Sequence, residues 1–371
     1  MRKGLLIVLL ALLTVSGAAL AQDTPPVFCG DLSAADCAIL EQSQTAMMGL
    51  TAASTEFSVD LQIEAEGNTI PISLTGSATF SGAERMDHEL DLGDMTEMPD
   101  ITPMLDAFRG FNADLNLTLT VPEDVAEDMP TNTVTLELRL VDGVGYINFD
   151  QLQAFMEDAD LSGWGGLDIA SLIEALAKEI TPEMLSQFGD MAEMSNVDPA
   201  MMEQMQQFSD PAFIGQYVSI TRTDDGSGAT ATFATTVDFA GMLKDPAMQD
   251  MIREQMRAQA EQQGERMTES EETMALGMVG MVFEDTNMIM TEEIDTATGL
   301  VASVSFSMAM DMSNLAEMDD NASGPVMFSM DASVTYSYDD VPTIAAPDDA
   351  SMLPYEMLIG MLIGMNMQQQ S

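Results

Sequence analysis

The sequence predicts an α+β fold in which a long, curved antiparallel β-sheet, shaped as a half-barrel, is covered on one face by helices. Most apolar segments alternate with polar residues at a period of two, which is typical of strands with one buried face. These segments follow one another through short turn sequences, which favours antiparallel hairpins. The middle of the chain has helical spacing instead, and strands of the same type flank it. Because no linker divides the chain, we predict a single domain over residues 22–352.

The N-terminus has the pattern of a secretory signal peptide, which we assign to residues 1–21. Arg2 and Lys3 precede an apolar run over residues 5–15, and Ala19-Leu20-Ala21 forms a small-residue cleavage site. A retained membrane anchor is the alternative, but the apolar run is short for a bilayer span. We therefore predict cleavage after Ala21 and an extracytoplasmic location, in the cell envelope or periplasm.

The chain has two cysteines, Cys29 and Cys37. In an exported protein, two cysteines this close together indicate a disulfide that ties down the N-terminal segment. A metal site is the competing interpretation, but it needs further ligands, and the single histidine, His88, lies far away in the sequence. A lipid-modified cysteine would directly follow the cleavage site, whereas Cys29 lies well beyond it. We therefore expect at most transient contact with a membrane.

The chain is strongly acidic, with 11 Lys and Arg residues against 62 Asp and Glu residues and a formal net charge of −51. Removing Arg2 and Lys3 with the signal leaves 9 basic residues and a net charge of −53. Such a surface repels nucleic acids and anionic membranes, so we predict no nucleic-acid partner. The simplest explanation of this charge is solubility. The functional alternatives are that it binds Ca²⁺ loosely or attracts a basic protein partner. The 46% of hydrophobic residues and their clear periodicity indicate a folded core rather than disorder.

The first part of the mature chain is predicted to hold one helix followed by strands. We place the helix at residues 33–53, where Ser33 can cap it and Asp36 suits its positive end. Residues 97–110 are predicted to form a loop or a short helix. The predicted strands occupy residues 57–63, 70–80, 115–121, 134–140 and 144–149, with a weaker strand at 85–92.

The middle of the chain is predicted to be mostly helical, with a short hairpin inside it. Its helices are placed at residues 150–158, 168–179, 182–208 and 246–266, and its strands at 217–222 and 229–239. Gly- and Pro-containing breaks separate them at residues 163–166, 182 and 198–199. The acidic residues 268–272 are predicted to form a loop. Residues 274–283 are apolar and fit either a strand or a helix.

A β-hairpin over residues 291–312 shows the sheet pattern most clearly. Its turn lies at residues 296–299, where Gly299 suits a positive φ angle. Beyond the turn, apolar residues fall on one face and polar residues on the other. The apolar set consists of Val304, Phe306, Met308, Met310 and Met312, and the last strand adds Phe328, Met330, Ala332, Val334, Tyr336 and Tyr338.

The C-terminal tail, residues 353–371, begins with an apolar stretch that is too short to span a bilayer. We predict that it packs on the domain as a helix. An interfacial or partner-binding helix is the alternative.

Methionine is the most unusual feature of the composition, with 36 residues. The strand methionines alternate with polar residues as core positions do, and methionine fills irregular cavities well. The same flexible side chains also suit the lining of a site for apolar ligands of variable shape. Thioethers bind Cu(I) as well, so an exported copper carrier is a further hypothesis, although one histidine and a predicted disulfide leave few stronger ligands.

The sequence contains no catalytic constellation. It lacks G-x-S-x-G, H-E-x-x-H, G-x-G-x-x-G and P-loop motifs, and no nucleophile pattern accompanies His88. Asp224-Asp225-Gly226 and Asp319-Asp320-Asn321 are fragments of calcium loops without the EF-hand spacing, so we interpret them as turns. We therefore predict a protein that is not an enzyme and holds no cofactor and no metal.

Five soft motifs follow one another along the chain. They are a helix ending in LTAAS, the strand TEFSVDLQIEA, the segment VDGVGYINFDQLQAF, the hairpin EEIDTATGLVASVSFSM and a last strand running into VPTIAAPDDA. This order resembles the LolA/LppX-like group of exported bacterial lipid carriers and lipoproteins. In that group an antiparallel half-barrel with a helical lid holds acyl chains. The resemblance implies a non-catalytic carrier whose partner is a lipid or another apolar small molecule.

The resemblance also implies that the apolar faces of the last two long strands line the hollow. The six lining residues that we predict are Phe306, Met308, Met310, Phe328, Met330 and Val334. The chain departs from the group in its missing lipobox, its acidity and its polar helix at 246–266. The alternative is an exported structural or protein-interaction module, whose filled core would hold no ligand.

Overall fold

The computed structural model describes residues 27–65, 68–83, 101–126, 130–153, 162–179, 211–262, 266–284, 286–313 and 326–354. Its strands, in chain order, are β1 Ala52–Ala65, β2 Asn68–Ser81, β3 Asn112–Thr120, β4 Thr133–Val141, β5 Val144–Asn148, β6 Trp164–Asp168, β7 Val218–Arg222, β8 Thr230–Val237, β9 Asn287–Asp295, β10 Val301–Asp311, β11 Val326–Ser337 and β12 Ser351–Leu353. Its helices are α1 Ala34–Met48, α2 Thr102–Gly110, α3 Ile169–Glu179, α4 Pro211–Tyr217, α5 Phe239–Lys244, α6 Pro246–Gln262 and α7 Glu269–Phe283.

All twelve described strands belong to one open sheet, in the order β12-β6-β5-β4-β3-β2-β1-β11-β10-β9-β8-β7. Neighbouring strands run antiparallel except at one edge, where β12 is parallel to β6. At the centre, β1 pairs with β11, so the first and last long strands lie side by side. The predicted α+β half-barrel, with a long and mostly antiparallel sheet, is confirmed.

One side of this sheet, which we call the apolar face, is continuous across its central strands. Phe57 of β1 lies opposite Gly76 of β2 and Val334 of β11, and Leu61 lies opposite Ile72 and Met330 in the same way. The registers of β3 with β4 and of β9 with β10 extend these rows outward. Because side chains alternate between the two sides of each strand, the antiparallel pairing brings every apolar set to the same side.

Helix α1 covers the apolar face at the end where β10 begins. Leu40 of α1 is buried against residues from three strands, and together they form a hydrophobic core cluster. The sheet members of that cluster are Ala231, Phe233, Ile294 and Val301. Helix α1 contributes packing at this end, whereas the side chains further along the apolar face are half-buried.

A second buried group lies near the other edge of the sheet, where α2 and α3 meet. Leu105 of α2, Val141 of β4 and Ala170 of α3 are all buried. The Ile169 side chain of α3 lies against Gly145 of β5, on the same side as the apolar face. Helices therefore cover both ends of this face, as the fold prediction requires.

The first helix is shorter than predicted. It ends at Met48 with Gly49 as its C-cap, rather than at residue 53. The last two predicted helical residues, Ala52 and Ala53, instead begin β1 and pair with Ser81 and Phe80. Ala53 is fully buried, so the packing of the sheet overrides the helix propensity of alanine.

The predicted break at residues 163–166 is wrong in part, because Trp164 begins strand β6. The glycines permit this strand to pair closely on both sides. A β-carbon at Gly165 would collide with the Phe149 ring, and one at Gly166 would lie 2.6 Å from Met352 Sδ. Glycine here makes room for neighbouring side chains rather than ending an element.

The predicted loop at residues 268–272 is also wrong, because α7 begins at Glu269 and continues to Phe283. The Thr268 hydroxyl accepts a hydrogen bond from the Glu271 backbone N–H, and the Glu271 side chain accepts one from Thr268. This reciprocal capping box starts the helix. The helix continues through segment 274–283, which the sequence alone left open between strand and helix. Similarly, β8 ends at Val237, since Asp238 caps helix α5.

Several predictions lie outside the described residues. These are the signal segment 1–21, the weak strand at 85–92, the helix at 182–208, most of the helix at 150–158 and nearly all of the tail at 353–371. The hairpins at 134–149 and 291–312 are confirmed, with Gly299 at a φ of 77°. Among the described helices, none is both long enough and apolar enough to cross a membrane.

Candidate functional site

A cavity of about 510 Å³ lies between α1, the chain segment that precedes it and strands β7 to β11. Its size is within the range of small-molecule sites. We call residues 27–33, which run over one side of it, the N-terminal strap. The lining residues are Val27, Phe28, Leu40, Ser43, Gln44, Met47, Ile220, Phe233, Thr235, Met290, Glu292, Val301, Val304 and Tyr336.

Helix α1 is held over the cavity by an ion-pair network at its N-terminus. Arg222 of β7 donates from Nη1 to Asp36 Oδ1 at 2.7 Å and from Nε to Asp224 Oδ1 at 2.8 Å. Ser33 caps the helix by accepting a hydrogen bond from the Asp36 N–H. The Ser33 hydroxyl and the Arg222 guanidinium lower the pKa of Asp36, and the same guanidinium lowers the pKa of Asp224. The N-terminus of α1 is therefore tied to the β7–β8 hairpin.

The predicted disulfide holds the strap itself. Cys29 in the strap is bonded to Cys37 in α1, and their Cα atoms are 5.4 Å apart. Val27 and Phe28, just before Cys29, contribute two side chains to the cavity. The short loop closed by the disulfide therefore positions part of the cavity wall.

The floor of the cavity belongs to the hydrophobic core cluster. Phe233 of β8 is 1% exposed, and it packs with Ile294 and Val301 in the core cluster. Beside the cavity, the Tyr338 hydroxyl donates a hydrogen bond to the Val301 carbonyl oxygen at 2.5 Å. The same hydroxyl lies 3.5 Å from Met47 Sδ of α1. The Tyr336 and Tyr338 rings are stacked with their centroids 6.2 Å apart. These contacts join β10, β11 and α1 beside the cavity.

Among the described lining residues, Glu292 is the one carboxylate. It lies on β9 in phase with Met288 and Met290, opposite Phe233 of β8 and Val304 of β10. The described residues provide no hydrogen bond or ion pair to its side chain. Burial raises the pKa of Glu292, because an apolar surrounding disfavours the ionised form. The cavity thus presents one acidic group in an otherwise mostly apolar wall.

The six residues predicted to line the hollow all lie on the apolar face, beyond the cavity. In the register, Met308 is opposite Met330, and Met310 is opposite Phe328. None of the six is among the residues that line the 510 Å³ cavity. They adjoin it, however, because Val304 of the cavity lies opposite Val334, and Met290 lies opposite Phe306.

The cavity and the predicted lining therefore form one apolar path. Met290, which is 37% exposed, stands where the cavity passes into the open part of the face. From Val304 to Met310 the path follows β10 for roughly 20 Å, at about 3.3 Å per residue. Whether the six predicted residues contact a ligand remains a proposal.

The sequence analysis did not place residues of α1 or Glu292 in the site, although both line the cavity. The signal for Glu292 is its phase, because it follows Met288 and Met290 at a spacing of two in the strand. A carboxylate at an apolar position of a strand indicates either that the strand has been assigned to the wrong face or that the residue is functional. The burial of Ser43, which is 4% exposed, could not be read from α1, because the helix has no clear apolar stripe.

A second cavity, of about 570 Å³, lies between α6 and α7 and has a charged lining. There Arg257 donates two hydrogen bonds to Glu272, at 2.5 and 2.6 Å, and the Glu272 residue is 3% exposed. This bidentate pair joins the two helices and lowers the pKa of Glu272. Within the described ranges, no group of three or more His, Cys, Asp and Glu residues is placed to hold a metal ion.

No family model matches the chain, and no curated protein matches its sequence. Solved structures give low similarities. LprF from Mycobacterium bovis is 14% identical, with 85% of this chain and 96% of that chain covered, at a TM-score of 0.26. A DUF1329 family protein from Desulfovibrio piger is 9% identical, with 82% and 94% covered, at a TM-score of 0.17. Scores this low support no transfer of function, and the fold rests on the strand pairing of this chain.

Proposed function

We propose that this chain is an extracytoplasmic, non-catalytic binding or carrier protein for an apolar ligand of the lipid or acyl-chain class. The observation that carries the proposal is the cavity under α1, which opens onto a half-buried apolar face. Burial of each CH₂ group contributes about 0.8 kcal/mol, so a long acyl chain binds tightly without any catalytic group. The disulfide, the signal-peptide pattern and the resemblance to exported lipid carriers support the same compartment and ligand class.

The first test is native mass spectrometry of the protein purified from its exported fraction, followed by solvent extraction. A bound mass that extraction releases supports the proposal and gives the ligand class. A bare protein that also fails to bind added fatty alcohol or phospholipid overturns it. That result favours the structural or interaction module with a filled core.

A pair of neighbouring substitutions on β10 tests the proposed ligand path. Met308 is half-buried on the apolar face, whereas Ser307 is exposed on the other. We expect Met308→Asp to reduce binding of a fluorescent acyl probe at least about tenfold, because it places a charge on the path. Ser307→Asp is the control, and circular dichroism checks that both variants fold. Equal losses in the two variants contradict the assigned path.

A second candidate function, Cu(I) binding, is favoured by one row of the apolar face. Met288, Met308 and Met330 are direct neighbours across β9, β10 and β11. Side chains directly opposite in antiparallel strands have Cβ atoms about 4.5–5.5 Å apart, which allows thioethers to share a soft ion. Competition with a chromogenic Cu(I) chelator tests this candidate. Met308→Leu should abolish Cu(I) binding but keep acyl binding, because it removes the sulfur and preserves the apolar volume.

A further inference from the structure

We infer that the cavity under α1 selects an amphiphile with a cationic ammonium head, which pairs with Glu292 while its apolar tail follows β10. This inference rests on the proposed function, and it specifies the chemistry of the ligand head. It follows from the position of one carboxylate, the aromatic residues around it and the charges of the neighbouring elements.

The first observation is that the described residues lining the cavity give Glu292 no counter-charge. Its direct neighbours on the apolar face, Phe233 and Val304, are apolar. Helix α1 presents no charged residue to the same cavity, only Leu40, Ser43, Gln44 and Met47. No lysine, arginine or histidine is among the described lining residues. An ionised carboxylate in such a wall is costly unless a partner compensates for its lost hydration. A ligand cation supplies that partner.

Arg222 is a cation in the same row of the sheet, since it lies opposite Phe233 in the β7–β8 register. Its guanidinium is already bonded to Asp36 and Asp224, at 2.7 and 2.8 Å. These two carboxylates neutralise the Arg222 guanidinium and hold its side chain at the N-terminus of α1. Arg222 therefore does not neutralise Glu292, nor does it offer a site for an anionic ligand head.

Aromatic residues surround the same space. Phe28 of the strap, Phe233 of β8 and Tyr336 of β11 all line the cavity. Aromatic rings attract ammonium groups through cation–π interactions, and such rings with a carboxylate form a typical quaternary-ammonium site. A carboxylate or phosphate head would instead meet the negative charge of Glu292. The formal net charge of −51 further draws cations toward the protein.

The arrangement of the apolar path sets the orientation of the ligand. Glu292 lies next to the core cluster under α1, since it is opposite Phe233 and Val304, and Met290 leads from it toward Phe306 and the open apolar face. A head bound at Glu292 therefore directs its alkyl tail along β10, where apolar burial contributes most of the affinity. The head contributes selectivity.

Calorimetric titration with three amphiphiles of equal chain length tests the inference. The probes are dodecyltrimethylammonium, laurate and dodecanol, each below its aggregation concentration. We expect the wild-type protein to bind the ammonium probe about tenfold or more tightly than dodecanol, and to bind laurate most weakly. Glu292→Gln should lower the ammonium affinity about tenfold and the dodecanol affinity by a much smaller factor.

Two further variants make the test specific. Glu293→Gln is the matched control, because Glu293 is exposed on the opposite side and accepts a hydrogen bond from Ser303. It should leave all three affinities unchanged. Phe28→Leu removes one ring without changing charge, and it should lower the ammonium affinity more than the dodecanol affinity.

The outcomes separate this inference from the proposed function. Equal binding of the ammonium and neutral probes, or equal effects of the Glu292 and Glu293 variants, overturns the inference and leaves the apolar carrier standing. Preferred binding of laurate also overturns it. Failure of all three probes to bind overturns the proposed function together with the inference.

Discussion

Arg222, the last residue of β7, donates a hydrogen bond from Nη1 to Oδ1 of Asp36 at 2.7 Å and so joins the sheet to the first turn of α1. Both side chains are mostly shielded from solvent, at 21% and 19% exposure. The pair lies beside the Cys29–Cys37 disulfide, so an ion pair and a covalent bond both hold the helix that covers the cavity. The stability of this end of the molecule and the shape of the cavity are therefore linked.

Replacing Arg222 by Gln is expected to lower the melting temperature by a few degrees at neutral pH, because it removes the charge shared by Asp36 and Asp224. Both carboxyl pKa values are lowered in the folded protein, so their contribution is present above the ordinary value of 3.8 and is lost as the pH falls below it. Thermal unfolding from pH 7 to pH 3 should show the difference shrinking. Arg253→Gln, which breaks a pair within α6, is the control and should change little.

Replacing Glu292 by Gln is expected to stabilise the ligand-free protein by a few degrees at pH 8. Burial raises the pKa of Glu292, so the folded state binds a proton more readily than the unfolded chain does. That contribution is fully present below the ordinary Glu value of 4.5 and is lost as the pH rises through the raised pKa. Melting curves of wild type and variant should therefore converge at pH 4. A variant that is destabilised at pH 8 would show that Glu292 has a favourable partner in the folded protein.

Removing the disulfide by a Cys29→Ser, Cys37→Ser double substitution should cost about 2–3 kcal/mol in unfolding free energy, as the loop-closure relation gives for a loop this short. It should also weaken binding of an acyl probe, because Val27 and Phe28 line the cavity from the strap. Denaturant unfolding with and without reductant measures the first effect, and probe titration measures the second. Loss of stability with unchanged binding would mean that the strap does not shape the site.

Replacing Gly76 by Ala should destabilise the protein by about 1–3 kcal/mol through overpacking. A β-carbon at Gly76 would lie 2.6 Å from Cζ of Phe57 and would also collide with the Asn116 carbonyl of β3. Gly277→Ala in α7 is the matched control, since nothing lies within 4 Å of its added carbon. We expect the control to be stabilised by about 0.5–1 kcal/mol from helix propensity. Chemical unfolding of the two variants should therefore move in opposite directions.

The elements that the sequence predicted well are those whose local pattern is strong. Met308 and Met310 alternate with polar residues, and Gly299 meets the need for a positive φ angle, so the β9–β10 hairpin follows from local chemistry. The predictions that failed concern residues whose role depends on distant neighbours. Trp164 begins a strand because β6 pairs with β5 and β12, so that Tyr146 and Met352 lie beside Gly166. Residues 163–166 by themselves do not indicate this pairing.

The sequence by itself determined which residues share a face, because period-2 alternation dictates the side to which each strand residue points. It also determined the cysteine pair, the acidic surface and the apolar, methionine-rich face. The tertiary structure alone decided that β1 lies beside β11, that α1 closes one end of the apolar face, and that Glu292 lies inside the resulting cavity. The physical reason is that strand order and helix placement depend on burial between segments far apart in the chain, which local periodicity does not encode.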